Sequence, residues 1–404
     1  MRNMIDILLA VLLLCPFYSC DDVKEYPWND AWDQTEQETP EDSENTDSTE
    51  EPSDPETPGD SEDPETPQEP ETPEEPVEPE EPETPVEPEE PETPVEPETP
   101  QQPGEPLTLE WTDVSESFGT LPSYITVKKS TSAISGKKTL IYVAEADLAQ
   151  AEWDVWSVKA GEDYKTSDSY KTPTEIYNEQ NSVVVINGGY FYYEGGAYTS
   201  SLAVSDSELL AYNINYASED WKTVYYPTRA AFVETEDGSL DACWTYMSWA
   251  GHWMYPSPAD NSWSKKPQSQ PNADFPAGAK QFAAVTAIGG GPVLIDKGEY
   301  INSYIPELFD GSGGVNPTAN NPRTAIGVTA DRKMMFFVCE GREMTAGVTG
   351  LTTAEVAGVL MGLGCVEAIN LDGGGSSCML VNGQETIKVS DGSQRAVAST
   401  VILK

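Results

Sequence analysis

Proline decides what the first quarter of this chain can become. From residue 52 to residue 106 it occupies every third position in 18 of 19 cases, Ser61 being the exception. Each proline removes a backbone donor and fixes φ, so neither a helix nor a sheet ladder propagates through such a tract. Three residues per turn is the polyproline II period, which sets all the prolines on one edge and Glu and Thr on the other two. A nine-residue repeat is visible in PEEPVEPEE, PETPVEPEE and PETPVEPET over residues 73–99. Charge acts in the same direction. Residues 21–108 hold 34 Asp and Glu against one basic residue, Lys24, and so carry most of the net charge of −48. At about 3.1 Å per residue the proline tract would reach roughly 170 Å. It reads either as a stalk or as a spacer of no fixed length. The foldable part is then residues 109–404, long enough for one large core.

The N-terminal residues read MRNMIDILLAVLLLCPFYSC. The apolar run behind Arg2 is too short to cross about 30 Å of hydrocarbon as a helix, which suits a signal sequence. Ser19-Cys20 at its end resembles a bacterial lipobox and implies cleavage and acylation at Cys20. The expected organisation is a signal peptide over 1–20, an acidic linker over 21–108 and a folded domain over 109–404. The expected location is the bacterial cell envelope, lipid-anchored, periplasmic or at the cell surface. Cys243, Cys339, Cys365 and Cys378 remain after processing. They sit in or beside apolar runs and read as small buried hydrophobes, although that location also permits a disulfide.

Composition excludes several chemistries. A strongly acidic chain with no basic stripe repels phosphate backbones, so nucleic acid is not an expected partner. The single histidine, His252, rules out multi-histidine zinc sites, and any Ser-His-Asp triad would have to run through it. The chemistry must rest mainly on carboxylates, guanidinium groups, hydroxyls, amides and backbone N–H groups.

Short apolar runs bounded by turn residues recur at 140–144, 183–186, 283–288, 324–328, 333–338, 366–371, 378–381 and 396–403. Two capping boxes, Thr172-Pro173-Thr174-Glu175 and Thr352-Thr353-Ala354-Glu355, announce helices. Val356, Val359, Leu360 and Leu363 then form a core stripe that Gly364 stops. Many strands and few helices predict an α+β domain of mixed or antiparallel sheets. Residues 244–281 carry Trp244, Trp249, Trp253 and Trp263 with no clear period, and read as a long loop. Its tryptophans either stack on sugar rings or pack the loop onto the body.

Four glycine-marked turns follow strands. Asn187-Gly188-Gly189 ends the first, where paired glycines let N–H groups face a ligand, or simply form a tight turn around a structural amide. Gly289-Gly290-Gly291-Pro292 is the second. In the third, Asn321-Pro322-Arg323, the guanidinium either binds a phosphate or carboxylate or makes a salt bridge at a sheet edge. The fourth is Asp372-Gly373-Gly374-Gly375-Ser376-Ser377. Three consecutive glycines there imply close approach of backbone or ligand. The turn is not a P-loop, because Gly-Lys-Ser/Thr is missing.

Taken in order, NGGYF, GGGP with Val293-Leu294, NPRTAIG, Glu340-Gly341, GLTTAE, LGCVEAINLDGGGSS and SDGSQRAVAS resemble the phosphodiester glycosidase family over about residues 180–404. The family often has Asp where this chain has Glu340, and a small apolar residue at Cys365. The tryptophan-rich stretch stands outside its pattern.

The resemblance implies removal of an α-linked N-acetylglucosamine from a phosphodiester, leaving a phosphomonoester. It implies Asp372 as base or nucleophile, Glu340 as the alternative carboxylate, and Arg323 on the leaving phosphate. Gly373, Gly374, Gly375 and Ser376 would assist through the loop. Asn187, with Gly188, Gly189 and Gly290, would bind the sugar, and Arg395 would be a second phosphate contact. No cofactor is expected; a divalent cation near Asp372 stays open, although no metal-ligand spacing supports one. Two further readings stay open: a glycan-binding lipoprotein without turnover, and an ordinary glycosidase. The expected partners are a glycan or glycosyl-phosphodiester and, through the anchor, a membrane.

Overall fold

Runs such as MMFFVC are apolar at every position, and a strand of that kind is stable only where both of its faces are covered. The computed structural model describes residues 104–404 except 162, 194, 195, 312 and 313. The signal sequence, Cys20 and the linker up to residue 103 lie outside the described residues. In the strand Lys333–Cys339, Met334, Phe336 and Val338 enter one buried cluster while Met335, Phe337 and Cys339 enter another. The neighbouring strand Arg323–Thr329 divides likewise, with Ile326 and Val328 on one face and Ala325 on the other.

These two are central in an eight-stranded sheet, ordered Thr112–Asp113, Ile125–Ser130, Ile141–Asp147, Lys333–Cys339, Arg323–Thr329, Cys365–Asn370, Val293–Asp296 and Glu299–Tyr300. A seven-stranded sheet is built around Arg229–Glu234 and Leu240–Ser248, and a five-stranded sheet around Val184–Asn187 and Ser399–Leu403. Inner faces of all three meet in one cluster through Ile326, Phe336, Phe232, Trp244, Ile186 and Val401. Two helices cover outer faces. Helix α1, Pro173–Gln180, packs Ile176 onto Val185, Leu380 and Ile402 of the five-stranded sheet. Helix α2, Thr353–Gly362, packs Val356, Val359 and Leu360 onto the eight-stranded sheet. Each begins with its capping box, from Thr172 and Thr352.

The described residues are therefore mostly β-sheet with two α-helices, and every strand pairing among them is antiparallel. The expectation of an α+β domain narrows accordingly. The four cysteines among the described residues, Cys243, Cys339, Cys365 and Cys378, are buried free thiols. No helix among the described residues is long and apolar enough to cross a membrane.

Two expectations change. Residues 244–255 are not loop. Leu240–Ser248 and Gly251–Tyr255 form a hairpin with Trp244, Tyr246 and Tyr255 in the core. Trp249, 94% exposed, stands at its tip. The folded domain also starts before residue 109. Leu107 is buried, its N–H donates to Gly358 O at 2.8 Å, and its segment lies on α2 where Gly358 and Gly362 leave room.

Burial of one leucine side chain is worth about 1.5–3 kcal/mol. A fragment starting at residue 109 should thus melt several degrees below one starting at residue 104. Equal melting temperatures for the two fragments would show that the Leu107 segment contributes nothing.

Candidate active site

Antiparallel register gathers the motifs at one end of the molecule. Ala325 pairs with Asn370, and Leu371 N–H continues the ladder to Thr324 O at 2.9 Å. The start of Arg323–Thr329 therefore lies beside the carboxyl end of Cys365–Asn370. The end of Val184–Asn187 arrives from the five-stranded sheet, because Asn187 Oδ1 accepts from Thr324 Oγ1 at 2.7 Å. Where these ends meet there is a cavity of about 590 Å³. Its walls come from Tyr190–Tyr193, from Asp372–Gly375, from Asn316 and Asn321, and from Arg323, Arg342, Asp391 and Arg395.

Asp372 is the buried acid of this cavity. Its N–H donates to Gly188 O at 3.1 Å, its carbonyl accepts from Asn187 Nδ2 at 2.7 Å, and Oδ1 accepts from Gly373 N–H at 2.8 Å. Burial pushes its carboxyl up to about 6, against the pull of Ser376, Arg395, Gly373 N–H and Arg342 toward the ionised form. Arg395 Nη1 also donates to Ser376 Oγ at 3.3 Å. Arg342 Nη1 donates to Ser390 Oγ at 3.3 Å.

Three glycines serve three approaches. A Cβ on Gly373 would stand 2.8 Å from Pro322 O, and one on Gly374 2.8 Å from Arg342 Nη2. On Gly375 it would collide with Arg395 and Asp391. Gly374 also has φ +59°. The aromatic wall is fixed from behind. Tyr190 Oη donates to Gly291 O at 2.5 Å and accepts from Asn370 Nδ2 at 3.1 Å. Tyr193 packs on Tyr170 at 4.7 Å, and Tyr192 stacks on Tyr198 at 4.7 Å.

Several residues singled out in the sequence sit differently. Arg323 lines the cavity, but its guanidinium is engaged by four carbonyls: Leu351, Val315, Asn316 and Ala319, at 2.7–3.0 Å. It orders the 315–319 loop instead of presenting a free fork. Asn187 is fully buried and bonded at both ends of its amide, so it faces no sugar. Gly188 and Gly189 donate to Ser399, and Gly290 donates to Ala230 O. A Cβ on any of the three would strike neighbouring backbone or side chain. Those glycines are packing positions. Glu340 is buried outside the cavity lining, with Oε2 accepting Lys388 N–H at 2.9 Å. His252 stacks on Phe282 at 3.9 Å, and burial lowers it to about 4, so no triad runs through it. None of Trp244, Trp249, Trp253 and Trp263 lines the cavity.

The residues missed were neighbours of those noticed. Tyr190 belongs to NGGYF, Arg342 follows Glu340-Gly341, and Asp391 belongs to SDGSQR. One group of three carboxylates among the described residues lies close enough to share an ion, namely Asp241, Asp296 and Glu367. It is outside the cavity lining, and Lys297 Nζ already donates to Asp296 at 2.6 Å.

A family model described as phosphodiester glycosidase matches residues 180–404. An uncharacterized SPbeta prophage-derived protein of Bacillus subtilis strain 168, YomE, is 35% identical over 83 residues, which is 20% of this chain and 13% of that relative. A solved hypothetical protein from Synechocystis matches at 17% identity and TM-score 0.45, over 70% of this chain and 64% of the other. The zebrafish N-acetylglucosamine-1-phosphodiester α-N-acetylglucosaminidase catalytic domain, auto-inhibited by its pro-peptide, matches at 20% identity and TM-score 0.45. That alignment covers 73% of this chain and 88% of the zebrafish chain.

The raised pKa of Asp372 has a stability signature. The folded state holds the proton more tightly than the unfolded chain, so wild-type stability falls as pH rises from about 4 to about 6 and stays lost above that. A carboxyl raised that far is worth about 3 kcal/mol. Asp372→Asn, which mimics the protonated form, should gain melting temperature over wild type between pH 4 and pH 7.5. A difference that does not change with pH would mean that Asp372 keeps an ordinary pKa.

Proposed function

The chain belongs to the phosphodiester glycosidase family, and from that premise we propose that it hydrolyses the bond between a sugar and a phosphodiester. The sugar would be N-acetylglucosamine-like and the site the cavity at Asp372. One observation carries the reading: a buried carboxylate and two arginines line the same cavity. Hydrolysis breaks the anomeric C–O bond. The electron pair leaves with the phosphate, which departs as a monoester, and the oxygen of water bonds to the anomeric carbon. A phosphate monoester is already a good leaving group, so the demand for a general acid is smaller than in an ordinary glycoside.

Asp372 acts on the sugar side, as base toward water or as nucleophile. Arg342 and Arg395 stabilise the charge that builds on the leaving phosphate, the role first given to Arg323. The wall of Tyr190–Tyr193 offers ring faces to a sugar, and exposed Tyr193 adds its hydroxyl. Cys20 is the proposed point of lipid attachment, with the linker as spacer.

Losing one preorganised charge contact typically costs about 10²–10³ in rate. Arg342→Ala and Arg395→Ala should each lose activity on that scale with an N-acetylglucosamine-1-phosphodiester, and far less with an activated glycoside that carries no phosphate. Asp372→Asn should abolish turnover of both, and wild-type kcat/KM should fall as pH drops through about 6. Arg323→Ala should lower the melting temperature and slow both substrates alike. If the arginine variants slow both substrates equally, the site is an ordinary glycosidase; retention of glycan with no turnover at all would make it a binder.

A further inference from the structure

Between Arg342 and Arg395 of the cavity stands a second carboxylate that the proposed reaction does not use. Asp391 Oδ2 accepts from Arg395 Nε at 3.0 Å and Nη2 at 2.5 Å, and Oδ1 lies 3.9 Å from Arg342 Nη1. Gly375 makes this placement possible, since a Cβ there would collide with both the Asp391 carboxylate and Arg395 Nη2. All three side chains remain one-third to one-half exposed, so an entering anion reaches them.

The charges facing one another are few. Arg323, Arg342 and Arg395 contribute +3, and Asp391 and ionised Asp372 contribute −2, which leaves +1. Arg323 has its N–H groups engaged by carbonyls but keeps its charge, and the Tyr190 and Tyr193 hydroxyls are held neutral by burial. Without Asp391, the net charge of +2 would favour a phosphomonoester dianion over a diester monoanion. With it, the second phosphate charge finds no uncompensated cation and meets a carboxylate a few ångströms away. Like charges at about 4 Å in a partly solvated site disfavour one another by about tenfold or more.

We propose that Asp391 is a specificity-determining residue that tunes the cavity to hold a phosphodiester monoanion and to release the phosphomonoester dianion. This inference rests on the phosphodiester reading and adds product release to it. If Asp391 merely orients Arg395, its loss would weaken monoester and diester alike.

The test is calorimetric titration of the full chain with methyl phosphate and dimethyl phosphate, which needs no turnover. A phosphate monoester takes its second charge near pH 6. Wild-type affinity for methyl phosphate should fall between pH 5 and pH 8 by more than that for dimethyl phosphate. At pH 8, Asp391→Asn should shift the monoester-to-diester affinity ratio at least tenfold toward the monoester, and Asp391→Glu should keep the wild-type ratio. Tighter binding of methyl phosphate by wild type as it becomes a dianion overturns the proposal, whether or not the variants fold. So does an equal change for both anions in Asp391→Asn. Failure of wild type to bind either anion would instead remove the phosphodiester reading, and the role of Asp391 with it.

Discussion

The site depends on one buried amide. Asn187 is fully excluded from water, and both ends of its side chain are spent on backbone and side chain of other elements. Oδ1 accepts from Thr324 Oγ1 at 2.7 Å and from Cys378 N–H at 3.1 Å, while Nδ2 donates to Asp372 O at 2.7 Å. One residue thereby ties the end of a five-stranded-sheet strand to the start of an eight-stranded-sheet strand, and fixes the glycine loop from both sides. Apolar packing holds the inner faces of the sheets together but has no directional preference at their ends. Hydrogen bonds supply direction, and a buried group left unpaired costs about 1–3 kcal/mol. Glu307 does the same at the next junction. It accepts from Val293 N–H of one sheet and from Ala230 N–H and Trp244 Nε1 of another, all at 2.8–3.1 Å. Gly291, whose carbonyl receives the Tyr190 hydroxyl, sits directly against it.

These clips explain why the acid can be kept buried. Asp372 has both backbone groups committed to the 187–188 turn, so its carboxyl stays in the cavity whatever its protonation state. Burial drives the proton on, and the arginines and Ser376 pull it off. The balance leaves it mostly ionised near neutrality, yet poorly solvated, which suits the role proposed for it beside the anomeric carbon. The three glycines belong to the same arrangement. They let the Pro322 carbonyl, Arg342 and the Asp391–Arg395 pair crowd around one short loop.

Much of the fold was legible because its signals are local or periodic. Capping boxes need only four residues, and both helices begin where theirs stand. Runs apolar at every position announced strands covered on both faces. The stretch from Trp244 to Tyr255 was illegible for the opposite reason. Thr245 and Cys243 are as buried as Trp244 and Tyr246, so the period of two disappears from the hydropathy. Leu107 was hidden because it follows proline spacing, and only the glycine groove of α2 marks it as core. The close approach around the loop after Asp372 was readable from its three consecutive glycines. The roles of Asn187 and Arg323 were not. An amide or guanidinium has the same donors whether its partner is a ligand or carbonyls of the protein, here three from the 315–319 loop and one from Leu351.

The charge of the whole molecule sharpens what two arginines must do. A chain of net charge −48 repels anions at long range. At physiological salt that field is screened beyond about 8 Å, so the repulsion slows an approaching anion more than it weakens one already bound. Within the cavity, the nearest charges decide. Arg342 and Arg395 lie against the Asp372 loop where Gly374 and Gly375 leave room for them, and Asp391 keeps them paired. An acidic protein therefore holds an anion only where a short-range positive well has been built. In the proposed reading, pairing that well with a carboxylate would keep it shallow enough that a ligand acquiring a second negative charge is released.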